Sequence, residues 1–519
     1  MSKVAKATIG LMIVTMLSKI LGFGREVVLG SIYGASIYSD VYITTFNIPN
    51  VVFSIIATSL ATTFIPLYYE NYNIGGYKKA NKFTSNIFTI VFILGIIIAL
   101  IVFIFAEQVV KLFAMGFEGE TLQLAIKFTR VMIFGGVFLG LSGIMKSILQ
   151  IKENFIIPGL VGLPLNIIII ISIILSIKID IMILPIGSFI AISSQFLFQI
   201  PFASKYGYKY KFLVDIKDES VKKMMYLVAP VLIGVAVNQV NVIIDRTLAS
   251  TLAEGSISAL NYANRLNQFV MGMFIMTIGT VIYPILSKLS NKNDNEKFIE
   301  SVVKSINSVV LLVIPISVGA MVLASPIVKI LFERGEFGSR ATYMTSIALF
   351  MYSIGMVAFG LRDILGKIFY SLQDTKTPMV NGVVTVVMNI VLNIVFVKIM
   401  GHAGLAFATS ISAIICIFLL FNSLKKKIGY FGQDKILKTT IKSLISSIVM
   451  GVVTYFIYNT LSNILGVGFI QEVLALFGSI AIGSIIYGLL IIVLKVEEVN
   501  IINHIIKRYT MIDISKRKN

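Results

Sequence analysis

Long apolar runs, interrupted at intervals by short polar stretches, dominate the chain. The run NIFTIVFILGIIIALIVFIFA, residues 86–106, carries no charge over a length that crosses a bilayer, about 20 residues. Such runs are too long and too evenly apolar for the strands of a membrane barrel, which alternate over about ten residues. A bundle of membrane helices satisfies every backbone group internally and is the fold class expected. The pattern predicts about fourteen spans, near 7–33, 37–69, 83–106, 120–150, 156–177, 182–203, 221–251, 256–289, 300–324, 340–371, 377–399, 402–424, 437–460 and 469–495. Several exceed a minimal crossing, so tilt or extension beyond the bilayer is expected.

Composition agrees. Of 519 residues, 57% are hydrophobic and 13% charged, and mean hydropathy is +0.92. A soluble domain has about 45–50% apolar and about 25% charged residues. The net charge of +19 has a topological explanation before it has a nucleic-acid one. Stretches after even-numbered spans carry YKKANK, KYGYKYKF, KLSNKNDNEK and KKKIGYFGQDK. Those after odd-numbered spans are poor in Lys and Arg, apart from LFERGEFGSR after the ninth. Lys and Arg collect in cytoplasmic loops, which places the even loops and both termini in the cytoplasm. The basic segment 501–519 is either solvated or in contact with anionic lipid. The single cysteine, Cys416, rules out a disulfide within the chain, and the distant His402 and His504 give no metal-binding spacing. Lys3 and Lys6 precede an apolar run as in a signal peptide, but no small-residue cleavage site follows and Lys19 interrupts the run. A retained first helix is expected.

The chain also repeats itself. KLFAMGFEGETLQLAIKFTRVMIFGGVFLGLSGIMKSILQ, residues 111–150, parallels KILFERGEFGSRATYMTSIALFMYSIGMVAFGLRDILGKIFYSLQ, residues 329–373. TFIPLYYENY (63–72) likewise parallels VIYPILSKLS (281–290), again at an offset of about 220. Six spans fit each unit, so both begin on the same side of the membrane. This is a parallel repeat, the pattern of transporters that bind substrate between two lobes and rock to give alternating access. The organisation expected is an N-terminal six-helix lobe (1–215), a C-terminal six-helix lobe (216–428), a two-helix extension (429–500) and the basic tail (501–519).

An ionised side chain inside a membrane costs about 2.5–3.5 kcal/mol on insertion scales and normally faces a cavity or a partner. The spans hold cationic Lys19, Arg25, Arg130, Lys146, Arg246, Arg265, Arg362 and Lys367 against anionic Glu26, Asp40, Asp245 and Asp363. Arg246 and Lys367 have acids nearby, and Arg130 and Lys146 fall where they can snorkel. Lys19 and Arg25 flank the glycines of LGFG, where a bend would expose N–H groups that favour anions. Arg265, in NYANRLNQF, has no adjacent acid. Excess positive charge points to an anionic substrate, and the planar fork of Arg matches phosphate oxygens. The competing reading is that Glu26 and Asp40 consume these charges as internal ion pairs. A second polar group comprises Asp245, Asn389, Asn393 and Thr409, with Asn389 and Asn393 on one helix face. Its oxygens suit a coupling sodium ion; proton coupling through Asp245 and simple helix-to-helix hydrogen bonding are the alternatives.

The stretch SKILGFGREVVLGSIYGASIYSDVYITTFNIPN, residues 18–50, resembles the first two helices of MurJ-type lipid II flippases, in the multidrug/oligosaccharidyl-lipid/polysaccharide exporter superfamily. Further matches are NYANRLNQF, GTVIYPILSKL, FYSLQDTKTP and GHAGLAFATS, so the resemblance covers nearly the whole chain. It implies export of the undecaprenyl-diphosphate-linked peptidoglycan precursor to the outer leaflet of a bacterial cytoplasmic membrane, through a central cationic cavity. The last two spans would form a groove for the lipid tail. The resemblance assigns Lys19, Arg25 and Arg265 to substrate binding, Asp40 and Glu26 to gating or ion pairing, and Asp245, Asn389 and Thr409 to a sodium-site pattern. Three departures stand out. Lys19 replaces a more usual Arg, and Phe53 and Ser54 stand where many relatives carry basic residues; Asn393 occupies a position where an acid can occur. The expected partners are lipid II and membrane lipids, with no nucleic acid, no cofactor beyond a coupling Na+ or H+, and function as a monomer. An exporter of another polyprenyl-diphosphate sugar remains open. A multidrug exporter would want an acidic cavity, and a membrane glycosyltransferase would want catalytic carboxylates near a large extramembrane loop, of which the sequence has none; the chain is not expected to be an enzyme.

Overall fold

The apolar runs fold as helices, and among the described residues there are no strands. The computed structural model describes residues 3–291, 294–466 and 468–498; the basic segment 501–519 lies outside them. Nine helices open the chain: α1 (Lys3–Tyr33), α2 (Ile37–Ile104), α3 (Ala106–Phe113), α4 (Gly119–Ile151), α5 (Ile156–Leu160), α6 (Gly162–Lys178), α7 (Ile183–Lys205), α8 (Glu219–Ser250) and α9 (Ser256–Val270). Eight follow: α10 (Met276–Asn291), α11 (Asn295–Val322), α12 (Ala324–Phe332), α13 (Ser339–Ser371), α14 (Lys376–Met400), α15 (His402–Ile428), α16 (Gln433–Leu465) and α17 (Phe469–Val493). A single π-turn, Met271–Ile275, joins α9 to α10. Among the described residues, eleven helical stretches are long and apolar enough to cross a membrane. The all-helical membrane fold expected from the apolar runs is therefore present.

Two local expectations change. The stretch 70–82 was expected to be a loop between spans. It is helical except at Gly75 (φ −144°, ψ 23°) and Gly76 (φ 60°, ψ −159°), so α2 is two helical limbs broken at a glycine pair, and the connection between the spans is shorter than expected. The two limbs pack on each other, with Phe64 and Phe83 stacked at 5.7 Å between ring centroids. The bend anticipated at LGFG is also absent as a break. α1 runs unbroken through Gly22 and Gly24, which keeps the N–H groups there within the helix.

The described residues divide into two compact units. One runs to Asn261 and includes Arg334–Ala341; the other runs from Tyr262 to Glu333 and resumes at Thr342. In the first, α2 packs on α4 and α4 on α7 around a core that includes Phe64, Leu67, Phe83, Ile87, Ile144 and Ile148. In the second, α11 packs on α16 around Val302, Ile306, Val310, Leu365, Ile368 and Phe369. The internal repeat is visible inside each unit. α4 and α13 are each 33 residues long, and each follows a short helix, α3 or α12. Each ends at a non-glycine residue with φ 58°, Glu153 in one and Gln373 in the other. The next residue then caps the following turn: Asn154 Oδ1 accepts from Ile157 N at 3.2 Å, and Asp374 Oδ1 from Thr377 N at 2.9 Å. Asp374 also pairs with Lys427 at 2.7 Å, and this ammonium, followed by the Thr377 amide, pulls its carboxyl down to about 2.

The first unit is tied at the corner between α1 and α2. Glu336 N donates to Ser31 O at 2.9 Å. Gly34 (φ 59°) and Gly335 (φ 58°) make this approach possible: a methyl on Gly34 would strike the Glu336 carbonyl oxygen, and one on Gly335 the Ser31 carbonyl oxygen. Left-handed backbone alone costs an L-residue about 1–2 kcal/mol. Gly34→Ala is therefore expected to lower the apparent melting temperature in detergent, and Gly335→Ala to do the same. An unchanged midpoint for both would mean that this corner bears no strain.

Candidate functional site

The helix α1 carries the first charges. Residues one apart on a helix do not face each other, yet the long Arg25 side chain reaches round to its neighbour, with Nη2 donating to Glu26 Oε1 at 2.6 Å. The pair is enclosed, with Arg25 and Glu26 side chains 12% and 4% exposed. Its second contact is aromatic, the guanidinium lying 5.4 Å from the centroid of the Phe46 ring on α2. Glu26 uses its other oxygen to accept from Asn261 Nδ2 at 3.0 Å. A guanidinium held this way has its position and charge fixed by a carboxylate and a ring face. Lys19 lies on the same helix and is partly buried.

Asp40 does something different. The first N–H groups of a helix have no partners within it, and Asp40, in the first turn of α2, supplies them at the start of α9. Its Oδ2 accepts from Gly255 N at 2.8 Å and its Oδ1 from Ser258 N at 2.8 Å. The Ser258 hydroxyl donates to the same carboxylate and also lies 2.8 Å from Ser39 Oγ. The arrangement is reciprocal, because Ile37 N, at the start of α2, donates to Glu254 Oε1 at 3.0 Å. Arg340 Nη2 donates to the Glu254 carbonyl at 3.2 Å. Two helix N-termini thus each receive a carboxylate from the other's segment, the placement that the helix dipole favours.

Asp245 also belongs to this unit. It lies on α8, one turn from Asn241, whose Nδ2 donates to Asp245 Oδ2 at 3.4 Å. The remaining candidate site residues, Arg265, Asn389, Asn393 and Thr409, lie in the second unit. Arg265 is partly buried on α9 and donates from Nη1 to Gln268 Oε1 at 3.4 Å. Asn389 and Asn393 are buried on α14 and bonded to each other, Asn393 Nδ2 donating to Asn389 Oδ1 at 3.0 Å. Asn389 Nδ2 then donates to Ser412 Oγ at 3.2 Å, and Ser412 Oγ to the Thr409 carbonyl at 2.9 Å. The Thr409 hydroxyl itself bonds the Leu405 carbonyl one turn back, at 2.9 Å. Asn389, Asn393 and Thr409 are thus connected through Ser412.

The second unit also holds a cavity of about 930 Å³ among α11, α16 and α17. Its wall is mostly apolar, including Leu311, Ile316, Met450, Ile480 and Ile491, with Lys304 and Glu498 as charged lining residues.

The family model described as lipid II flippase MurJ matches residues 29–476. The chain belongs to the MurJ lipid II flippase family. A probable lipid II flippase MurJ of Vibrio cholerae serotype O1 is 32% identical over 499 residues, covering 93% of this chain and 94% of the relative. One from Haemophilus influenzae is 30% identical over 506 residues, covering 93% and 98%. Among solved structures, one described as lipid II flippase MurJ in an inward closed conformation superposes with a TM-score of 0.80 at 28% identity, covering 92% of this chain and 97% of that one. An inward-facing multidrug resistance transporter of the MATE family shares the fold, with a TM-score of 0.66 at 15% identity over 80% of this chain. The chain is thus a multi-pass membrane protein with a transporter fold.

Sequence reasoning missed Asn261, Phe46, Glu254, Ser258 and Ser412 as partners of the charged and amide groups. Asn261 opens the NYANRLNQF motif, but nothing in that string ties it to Glu26, which is 235 residues away. Ser258 and Glu254 are ordinary polar residues at a helix start, and their only signal was position.

Proposed function

We propose that the chain moves the undecaprenyl-diphosphate-linked peptidoglycan precursor, lipid II, from the inner to the outer leaflet by alternating access. The observation that carries this is the match to the lipid II flippase family model over residues 29–476, in a chain whose helix α1 keeps Arg25 and Glu26 enclosed as an ion pair. An ionised pair in a membrane helix is expensive to keep, and fixed guanidinium charge is what a diphosphate headgroup needs. Lys19 and Arg25 carry positive charge for such a headgroup in the first unit, and Arg265 carries it in the second. Glu26 orients Arg25. Asp40, on the N-terminus of α9, holds the outer side shut and must release for the substrate to leave.

Fourteen crossings follow when α2 is counted as two limbs and α1 and α8, at 31 and 32 residues, are added to the eleven qualifying stretches. With the basic loops inside, the termini are cytoplasmic. The 930 Å³ cavity, walled in part by α16 and α17, has the size and apolar lining to hold part of a polyprenyl tail. The Asn389–Asn393–Thr409 chain offers neutral oxygens to a coupling ion within its own unit, Asp245 is the acid for proton coupling, and the protein works as a monomer.

The test is complementation in a bacterium depleted of its own lipid II flippase, with chemical labelling of lipid II on the outer leaflet. Growth together with outer-leaflet lipid II supports the reading. A well-expressed chain that neither restores growth nor exposes lipid II overturns it in favour of another polyprenyl-linked sugar.

A further inference from the structure

The segment joining α7 to α8 has an unusual pattern. From Tyr208 it reads YKYKFLVDIK, with apolar and polar residues alternating almost strictly. It has no regular structure, yet it is strapped to α2. Asn86 acts as a peptide group would: its Nδ2 donates to Asp215 O and its Oδ1 accepts from Asp215 N, both at 2.8 Å. Ser85 Oγ accepts from Lys211 N at 3.3 Å, and Thr89 Oγ1 lies 3.0 Å from the Tyr210 hydroxyl. Asn86, Ser85 and Thr89 are all buried, so the strap is fixed in place.

Beyond the buried Tyr208, three of its apolar residues are left uncovered by the protein. Phe212 is 76% exposed, Val214 44% and Ile216 58%. Beside them is a cavity of about 350 Å³ whose wall is aromatic, with Phe88, Phe138, Phe196, Tyr208 and Tyr210, and Ser204 at its edge. Three of these walls come from helices long and apolar enough to cross a membrane. The cavity therefore reaches into the apolar slab, while the strap marks its boundary. Four lysines lie on the strap and at the end of α7 that leads into it: Lys205, Lys209, Lys211 and Lys217. Among the described residues none of the four is in an ion pair. Asp215 and Asp218 are engaged by backbone instead, while Glu219 opens α8. Asp218 accepts from Ser220 N and Val221 N at the start of α8, and Asp215 Oδ1 accepts from Lys217 N.

We propose that this strap and aromatic cavity form a binding site for one acidic glycerophospholipid. An acyl chain lies in the cavity against the packed rings of Phe88, Phe138 and Phe196, Phe212 inserts beside it, and the anionic headgroup meets Lys209 and Lys211. Aromatic side chains and lysines together at a membrane boundary are the composition that binds anionic headgroups. The unpaired lysines select acidic over zwitterionic lipid. Only the leaflet, the inner one, rests on the topology proposed above; the binding does not.

The test uses the full chain in nanodiscs with phosphatidylglycerol bearing a photoactivatable acyl chain, followed by peptide mapping of the label. Wild type is expected to take label on peptides containing Phe92, Phe138 or Tyr210, competed by phosphatidylglycerol and not by phosphatidylcholine. Lys209→Gln/Lys211→Gln removes two surface cations and is expected to weaken this labelling roughly 30-fold. Ser204→Trp, at the rim of the cavity, is expected to abolish it while the melting profile stays that of wild type. Label spread evenly over the membrane surface and unchanged in both variants overturns the proposal. Competition by a polyprenyl phosphate but not by phosphatidylglycerol overturns it as well, since the cavity would then hold substrate. Failure of complementation would sink the flippase reading and leave this labelling pattern as it is.

Discussion

Arg25→Ala is expected to leave lipid II on the inner leaflet and to fail to support growth in flippase-depleted cells. The variant also strands Glu26, which is 3% exposed, without its arginine. Breaking a buried ion pair by removing one partner costs about 3–5 kcal/mol, so some loss of stability is expected alongside the loss of transport. A second variant separates the two effects. Arg25→Gln/Glu26→Gln removes both charges and keeps a polar side chain at each position, isosteric at position 26, with Asn261 still able to bond it. Its melting temperature is expected to recover most of the way to wild type, with transport still absent. Transport at the wild-type rate in this double variant would remove the guanidinium from the mechanism. Lys19→Arg keeps the charge and is expected to be tolerated, whereas Lys19→Ala is expected to impair export.

Asp40→Asn is expected to open the side on which α2 and α9 begin. The carboxylate takes two backbone N–H groups and a hydroxyl, and a hydrogen bond to a charged group contributes about 1.5–3 kcal/mol. An amide in its place keeps one acceptor oxygen and loses the charge that the helix N-terminus favours. The closed-to-open ratio is then expected to fall by roughly 10- to 100-fold. Cysteine placed at Ala35, whose carbonyl lies beside Gly255, reports on this through labelling by a membrane-impermeant maleimide. The background is low, because the single native cysteine, Cys416, is buried. Faster labelling in Asp40→Asn supports the clamp. Labelling at the wild-type rate would leave Asp40 as a structural cap alone. Ser258→Ala removes only the hydroxyl and is expected to give a smaller effect in the same direction.

The sequence made the helices and their repeat legible, because length and apolarity are local properties. The offset of about 220 residues reappears as the matching φ of Glu153 and Gln373, a conformation set by local chain geometry. The charged residues of α1 were legible for the same reason: an ionised group in an apolar run stands out wherever it points. Which acid serves which base was not legible. Glu26 and Asp40 both lie near Arg25 in sequence, yet Asp40 turns to residues 215 and 218 positions away. That choice depends on how segments meet, and no local pattern encodes it. The Asn389–Asn393 bond follows from helical spacing, whereas Ser412, on the next helix, does not. The stretch 70–82 reads as a longer connection than the Gly75–Gly76 break it contains, because its lysines look like loop residues. Helix propensity survives lysine, and two glycines suffice to fold the chain back.

The π-turn at Met271–Ile275 begins six residues after Arg265. It holds one residue more than an α-turn needs, in a stretch that crosses the bilayer without a gap from Ser256 to Asn291. Each step that such an excess residue takes along a helix carries one side chain from one register to the other, turning it by about 100° about the axis. The helix therefore holds slack in azimuth rather than in length. It can re-aim a side chain without unwinding, and without moving either of its ends.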